Sequence, residues 1–317
     1  MESTAPFFLA LLWVFIGLLM LIGGGEAVIY GATRLARRLG ITPFVIGLTV
    51  VAFGTSIPEL FISLIASLQG HPDIMIGNII GSNIANVGLI LGCCAILAPL
   101  RLELKEVWTE LLIVIAASIF VLLCSGYGRF PRIVGFAFVL SLISYTYLTY
   151  ANRRNGDGDD QALSGSGNGR RQPFLITLAI VTGIALLGVG STIFIDGAVS
   201  VARHFGISEL IIGLTLTAVG TSLPELASSI AALRQRESGM LIGNVIGSNM
   251  FNLLMVFGLT GMIHPFSLDP ELLRRDLPVM FAFTIVLIPM LRQDGTTRRW
   301  HGILLCSAYG LYCFSLL

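Results

Sequence analysis

Charge is what this sequence has least of. Lys, Arg, Asp and Glu make up 12% of its 317 residues, 55% are hydrophobic, and the mean hydropathy is +0.88; a soluble domain carries about a quarter charged residues. A chain this apolar is an integral membrane protein. Other absences narrow the class further. There is no H-E-x-x-H, and His71, His204, His264 and His301 fall at loops or span boundaries, which excludes a zinc-dependent membrane protease. The cysteines are five, an odd number without metal-ligand spacing, and read as small apolar residues rather than redox groups. With a net charge of +1 and basic residues scattered over short loops, no nucleic-acid surface is present. The apolar segments are long and continuous rather than short and alternating, which excludes a β-barrel.

Windows of roughly 20 apolar residues mark ten spans, near 7–30, 43–68, 74–99, 107–124, 133–150, 174–196, 207–233, 240–263, 278–291 and 302–317. The first lacks a basic leading region and carries Glu2, so it reads as a retained helix, not a signal peptide. With the N-terminus outside, 14 of the 19 basic residues fall on inward loops, from Arg34, Arg37 and Arg38 to Arg298 and Arg299. The positive-inside rule then puts both termini outside. The expected fold class is an all-α membrane protein of ten transmembrane helices.

Residues 46–87 align without a gap on 212–253 at a constant offset of 166, matching at 22 of 42 positions. The offset also pairs Gly31 with Gly197 and Gly40 with Gly206. The chain therefore divides into halves 1–151 and 174–317, five spans each. Five is odd, so the halves enter the membrane from opposite sides as inverted repeats, the architecture of secondary transporters whose sites lie near mid-bilayer. Between them, 152–173 is a polar linker. Its Asp-rich part fails as an EF-hand, with Asp160 where glycine is needed and Ser166 where glutamate is needed. It reads as a flexible cytoplasmic connector.

The repeat carries G-T-S-x-P-E at 54–59 and 220–225, each followed by G-N-x-x-G-S-N-x-x-N at 77–86 and 243–252. A glutamate inside a span costs roughly 3 kcal/mol and needs a water-filled cavity or a partner. Glu59 and Glu225 have no Lys or Arg within their spans, so a bound cation is the simplest counter-charge. Thr55 and Ser56 lie one turn before Glu59 on a helix. Pro58 removes a backbone donor and frees carbonyls around Ala52 to Thr55 as ligands. The same holds for Ala218, Thr221, Ser222, Pro224 and Glu225. Ser82 and Asn86 share a helix face, as do Ser248 and Asn252, while Asn78, Asn83, Asn244 and Asn249 lie off it and suit structural hydrogen bonding. Gly77/Gly81 and Gly243/Gly247 permit close helix approach. Carboxylates, hydroxyls, amides and carbonyls without thiolate or imidazole suit hard cations such as calcium, with sodium competing for the same oxygens. Glu26 and Asp196 lie in the first span of each half at non-equivalent positions, with no role assigned.

At these motifs the chain resembles the cation/calcium exchanger superfamily, in its prokaryotic sodium/calcium exchanger branch, over essentially its whole length. The resemblance implies alternating-access antiport of Ca2+ against Na+, with the first span of each half sliding against the remaining core. It implies the ligands Ala52, Thr55, Ser56, Glu59, Ser82 and Asn86 from one repeat and Ala218, Thr221, Ser222, Glu225, Ser248 and Asn252 from the other. Several family members carry aspartate where this chain has Asn252; an amide cannot titrate, so that position's contribution to pH dependence is expected to be lost. The rival reading is a calcium/proton antiporter using the same two glutamates, although proton-coupled relatives typically carry glutamate where this chain has Gly81 and Gly247. A passive channel or a non-transporting scaffold is the alternative from another class. The expected partners are small inorganic cations and the lipid bilayer, with no cofactor and no enzymatic activity, in a monomer placed in a prokaryotic cytoplasmic (inner) membrane.

Overall fold

The computed structural model describes residues 4–101, 104–155, 171–206, 220–268, 270–292 and 296–316. Its elements are α1 (Thr4–Leu39), α2 (Pro43–Thr55), α3 (Ile57–Leu68), α4 (Pro72–Leu97), α5 (Leu104–Gly126), β1 (Arg129–Phe130), α6 (Arg132–Asn155), α7 (Arg171–His204), α8 (Leu223–Arg234), α9 (Ser238–Ile263), β2 (Phe266–Ser267), α10 (Pro270–Arg292) and α11 (Arg299–Ser315). Among the described residues six helices are long and apolar enough to cross a membrane, and a seventh span follows if α2 and α3, bent by 44° at Ser56, are counted together. Helices α10 and α11 occupy the expected ninth and tenth positions but do not meet the same length-and-hydropathy measure. The expected first and sixth spans are longer than their apolar windows: α1 runs on to Leu39 and α7 to His204. Of the expected span 207–233 only 220–233 lies within the described residues, as does only part of the linker 152–173.

Burial sorts the helices by depth. The most apolar window of α9 is buried throughout and that of α4 is 78% buried, against 22% and 28% for α1 and α7. The repeated motif helices therefore form the centre of the bundle and the first helix of each half its flank. Glycine sets the closest approaches. A Cβ on Gly243 would lie 2.3 Å from the Phe44 carbonyl oxygen and one on Gly47 2.3 Å from that of Met240, so α2 and α9 touch backbone to backbone. The glycines that pair α1 with α7 run in opposite order along the chain, Gly17 against Phe194, Gly24 against Gly183 and Leu187, and Gly31 against Ile176 and Ile180, so the two helices are antiparallel neighbours over most of their length. Of the "GLLMLIGGGE" glycines, Gly24 meets α7 and Gly25 meets α8 at the Ala227 carbonyl.

Loops close the ends in pairs. Strand β1 joins β2 antiparallel, with Phe130 stacked on Phe266 at 5.3 Å, and Arg101 bridges to Thr296. Phe7 stacks on His204 at 4.5 Å, bringing the start of α1 to the end of α7.

Candidate cation site

Proline decides the local geometry. Pro58 and Pro224 each stand at the second position of a helix, and the residue two before each, Ser56 (φ −82°, ψ 3°) and Ser222 (φ −87°, ψ 6°), leaves the regular helix. A proline cannot donate to the carbonyl four residues back, so α2 ends and α3 begins at the break. Glu59 and Glu225 occupy the third position of the new helices, where free amide dipoles favour negative charge. In the first repeat the C-terminal end of α2, with its carbonyls, faces the same break. Half-helix ends of this kind form ion sites inside membranes. A second irregularity follows in each repeat: π-helical turns begin at Asn86 (Asn86–Leu91) and at Asn252 (Asn252–Val256). Single π-turns inside α-helices are frequent at functional sites.

The two glutamates are buried, 0% and 1% exposed. Both Glu59 carboxylate oxygens and Glu225 Oε2 have no hydrogen-bond partner; Glu225 Oε1 accepts from Ser56 Oγ at 3.5 Å. On the same repeated motifs the buried oxygens Ser82 Oγ, Ser222 Oγ, Ser248 Oγ and Asn86 Oδ1, and both amide atoms of Asn252, are likewise unpartnered. Buried polar groups are normally satisfied. Here most of the exceptions fall on the candidate ligands of the repeat, the others being Thr33 Oγ1, Ser67 Oγ, Asn83 Oδ1 and Glu110 Oε2. Thr55 and Thr221 are engaged, donating to Asn244 Oδ1 (3.3 Å) and Asn78 Oδ1 (3.5 Å). The Ala52 carbonyl accepts from the Ser56 amide (3.0 Å) and from the Thr55 hydroxyl at 3.4 Å, so a cation there would displace the longer contact. Ala218 lies outside the described residues.

Three of the four off-face asparagines, Asn78, Asn244 and Asn249, bond across the halves, while Asn83 Nδ2 donates to the Ile79 carbonyl of its own helix at 2.6 Å. Asn78 Nδ2 donates to Ser63 Oγ (2.9 Å) and the Glu59 carbonyl (3.3 Å) while its Oδ1 receives Thr221. Asn244 Nδ2 donates to Ser228 Oγ (3.1 Å) and Ser229 Oγ (3.2 Å) while its Oδ1 receives Thr55. Each repeat thus braces the other's G-T-S-x-P-E segment at its threonine. Asn249 joins Asn86 Nδ2 (3.0 Å) to the Asn83 carbonyl (3.4 Å). Among the described residues no three of His, Cys, Asp and Glu come together. A cation in this place would rest on two carboxylates and neutral oxygens.

Sequence reading passed over a second pair of buried acids. Glu110 on α5 accepts from the Tyr145 hydroxyl on α6, and Asp276 on α10 accepts from the Tyr312 hydroxyl on α11 at 3.3 Å. The same offset of 166 relates Glu110 to Asp276, a signal available had the alignment been carried past residue 87. Arg275 holds Asp276 at 2.8 and 3.1 Å; its counterpart in the first half is Thr109. Glu26, left without a role by its sequence position, pairs with Arg234 at 2.9 Å.

Known proteins resemble this chain over nearly its whole length. The sequence profile of the family described as sodium/calcium exchanger protein matches residues 9–151 and 175–317. The chain is 36% identical over 297 residues to the putative antiporter CaxA of Alkalimonas amylolytica, covering 93% of each. It is 35% identical to the sodium/calcium exchanger MaX1 of Methanosarcina acetivorans, covering 93% of this chain and 94% of that one. Among solved structures, the sodium-calcium exchanger NCX_Mj superposes with a TM-score of 0.83 at 33% identity, covering 98% of this chain and 99% of the other.

Proposed function

This chain belongs to the sodium/calcium exchanger protein family, and from that membership and its paired glutamates we propose that it exchanges sodium for calcium by alternating access. It is an integral membrane transporter, not an enzyme, and its family moves small cations across membranes. The observation that carries the finer reading is the set of unpartnered buried oxygens that the repeated motifs carry, those of Glu59 and Glu225 among them. Two carboxylates balance one divalent ion, and the neutral oxygens can divide among sodium ions in smaller subsites. The ligand set is Ala52, Thr55, Ser56, Glu59, Ser82 and Asn86 with Ala218, Thr221, Ser222, Glu225, Ser248 and Asn252.

The accompanying architecture is ten spans in two inverted halves, 1–151 and 174–317, joined by a cytoplasmic linker at 152–173, with both termini outside. Every end contact supports that alternation. β1 and β2 fall on expected outward loops, Arg101 and Thr296 on inward ones, and Phe7 and His204 on the outward side. The working unit is a monomer in a prokaryotic inner membrane.

The test is radiolabelled calcium uptake into proteoliposomes loaded with sodium or with potassium, for wild type and Glu59→Gln. Sodium-dependent uptake lost in the variant is the expected result. Uptake driven by a pH gradient without sodium would replace sodium by protons as the coupling ion, and uptake independent of any counter-ion gradient would make the protein a channel.

A further inference from the structure

Helix α1 rests against α8 along an apolar groove lined by Leu18, Leu21, Ile22, Phe194, Leu226 and Ile230. Gly25 gives a smooth contact, its Cβ position 2.8 Å from the Ala227 carbonyl oxygen. Such a seam offers little resistance to sliding. At the end of α8 away from Leu223 the character changes: Glu26 Oε1 meets Arg234 Nη1 at 2.9 Å, and Glu26 Oε2 accepts from Gln235 Nε2 at 2.8 Å. Both carboxylate oxygens are used, by two consecutive residues of the opposite helix end.

The inverted repeat makes this contact informative, because each element has a counterpart that should do the same at the other face. At the offset of 166, Glu26 corresponds to Thr192, Arg234 to Leu68 and Gln235 to Gln69. Thr192 spends its hydroxyl on its own helix, at the Gly188 carbonyl (3.2 Å), and Leu68 has no charge to offer. The ion pair is therefore not repeated by the residues that the offset makes its counterparts, all of which are described.

We infer that Glu26 is a positioning residue for transport: with Arg234 and Gln235 it ties α1 to α8 in one register and so favours the access state in which the Arg234 end of that seam is closed. The inference rests on the exchanger reading, since it needs α1 to move against α8. A shift of α1 by one helical turn, 5.4 Å, carries the carboxylate out of hydrogen-bonding range. The counterparts Thr192 and Leu68 form no ion pair of their own at the opposite face, so the two access states differ by the worth of the tie. For a pair with the guanidinium and carboxylate side chains 63% and 36% exposed, that is about a two- to five-fold population difference.

The experiment is hydrogen–deuterium exchange of the full chain in lipid nanodiscs with sodium present and calcium chelated, read on peptides covering 16–30 and 223–235. Wild type is compared with Glu26→Gln, Arg234→Gln, the double variant, and the reversed pair Glu26→Arg with Arg234→Glu. The expected result is exchange raised about two- to five-fold in those two segments by either single change, no further rise in the double variant, and a return to wild type in the reversed pair. Additive single effects, an unchanged rate, a reversed pair that does not recover, or a rise spread over the whole bundle with a lower melting temperature would overturn it. Sodium-driven calcium uptake by wild-type proteoliposomes is run beside it, so failure of the exchanger reading is seen separately from failure of the tie.

Discussion

In the first half the Asn86 amide donates to Asn249 Oδ1 at 3.0 Å; in the second, its counterpart Asn252 is buried with neither amide atom partnered. Asn83 Oδ1, the acceptor that symmetry would give it, is also unpartnered. The backbone does not share this inequality, since Ser56 and Ser222 precede α3 and α8 with torsions within 5° of each other. Local sequence reproduces local geometry, because a proline two residues on has the same steric effect wherever it stands. Side-chain networks at the interface follow instead from how the halves meet. An unsatisfied buried amide costs about 1–3 kcal/mol, which fits a position kept free for a ligand.

The largest expected effect concerns where the halves should be equal. Glu59→Gln and Glu225→Gln are each expected to lower sodium-driven calcium uptake more than ~100-fold, the scale of removing one partner from a buried charge cluster at about 3 kcal/mol or more. A variant that kept near wild-type uptake would break the equivalence of the two carboxylates. Next is packing: Gly47→Ala and Gly243→Ala both press a methyl onto opposing backbone, at 2.3 Å in each case. Each is expected to destabilise by roughly 1–3 kcal/mol, read as a lower melting temperature in detergent; an unchanged transition would show that α2 and α9 can part.

The third prediction sharpens the asparagine comparison. Asn252→Asp adds a titrating group beside two carboxylates, so the ratio of variant to wild-type uptake should vary with pH and approach one as the pH falls and the new carboxyl is neutralised. A ratio constant with pH would mean that this position does not face the ions. The smallest effect lies in the hairpin turns. Gly70 (φ 79°) and Arg236 (φ 60°) occupy equivalent left-handed positions, and only one is glycine. Arg236→Gly is expected to stabilise by about 0.5–1 kcal/mol, the side-chain strain relieved less the added freedom of the unfolded chain; a lower melting temperature would show that Arg236 makes a compensating contact.

Much of the candidate site was legible because its signals are chemical and periodic at once. Glu59 stood out as a charge inside an apolar run, and its recurrence at Glu225 with the same preceding T-S-x-P made packing alone a poor account. Ser82, Asn86, Ser248 and Asn252 followed from helical spacing, and they are among the buried polar groups that the fold leaves unpartnered. The ends of α1 and α7 were missed because a hydropathy window stops where polar residues begin, while hydrogen bonding carries a helix on through Arg37, Arg38 and Arg203. Glu110 and Asp276 were missed because each lies near a helix end, where an acid draws no notice until a tyrosine from the next helix is found on it.

By itself the sequence determined the membrane setting, the duplication and the break between α2 and α3, since composition, a fixed offset and a proline act over short stretches of chain. Only the tertiary structure decided that Asn78 and Asn244 cross to the opposite half, that Asn252 lacks the bond Asn86 has, and that Glu26 finds Arg234. These pairs are joined through space by side chains whose partners lie more than a hundred residues away. Their bonds depend on helix register to within an ångström or two, and no local pattern encodes that distance.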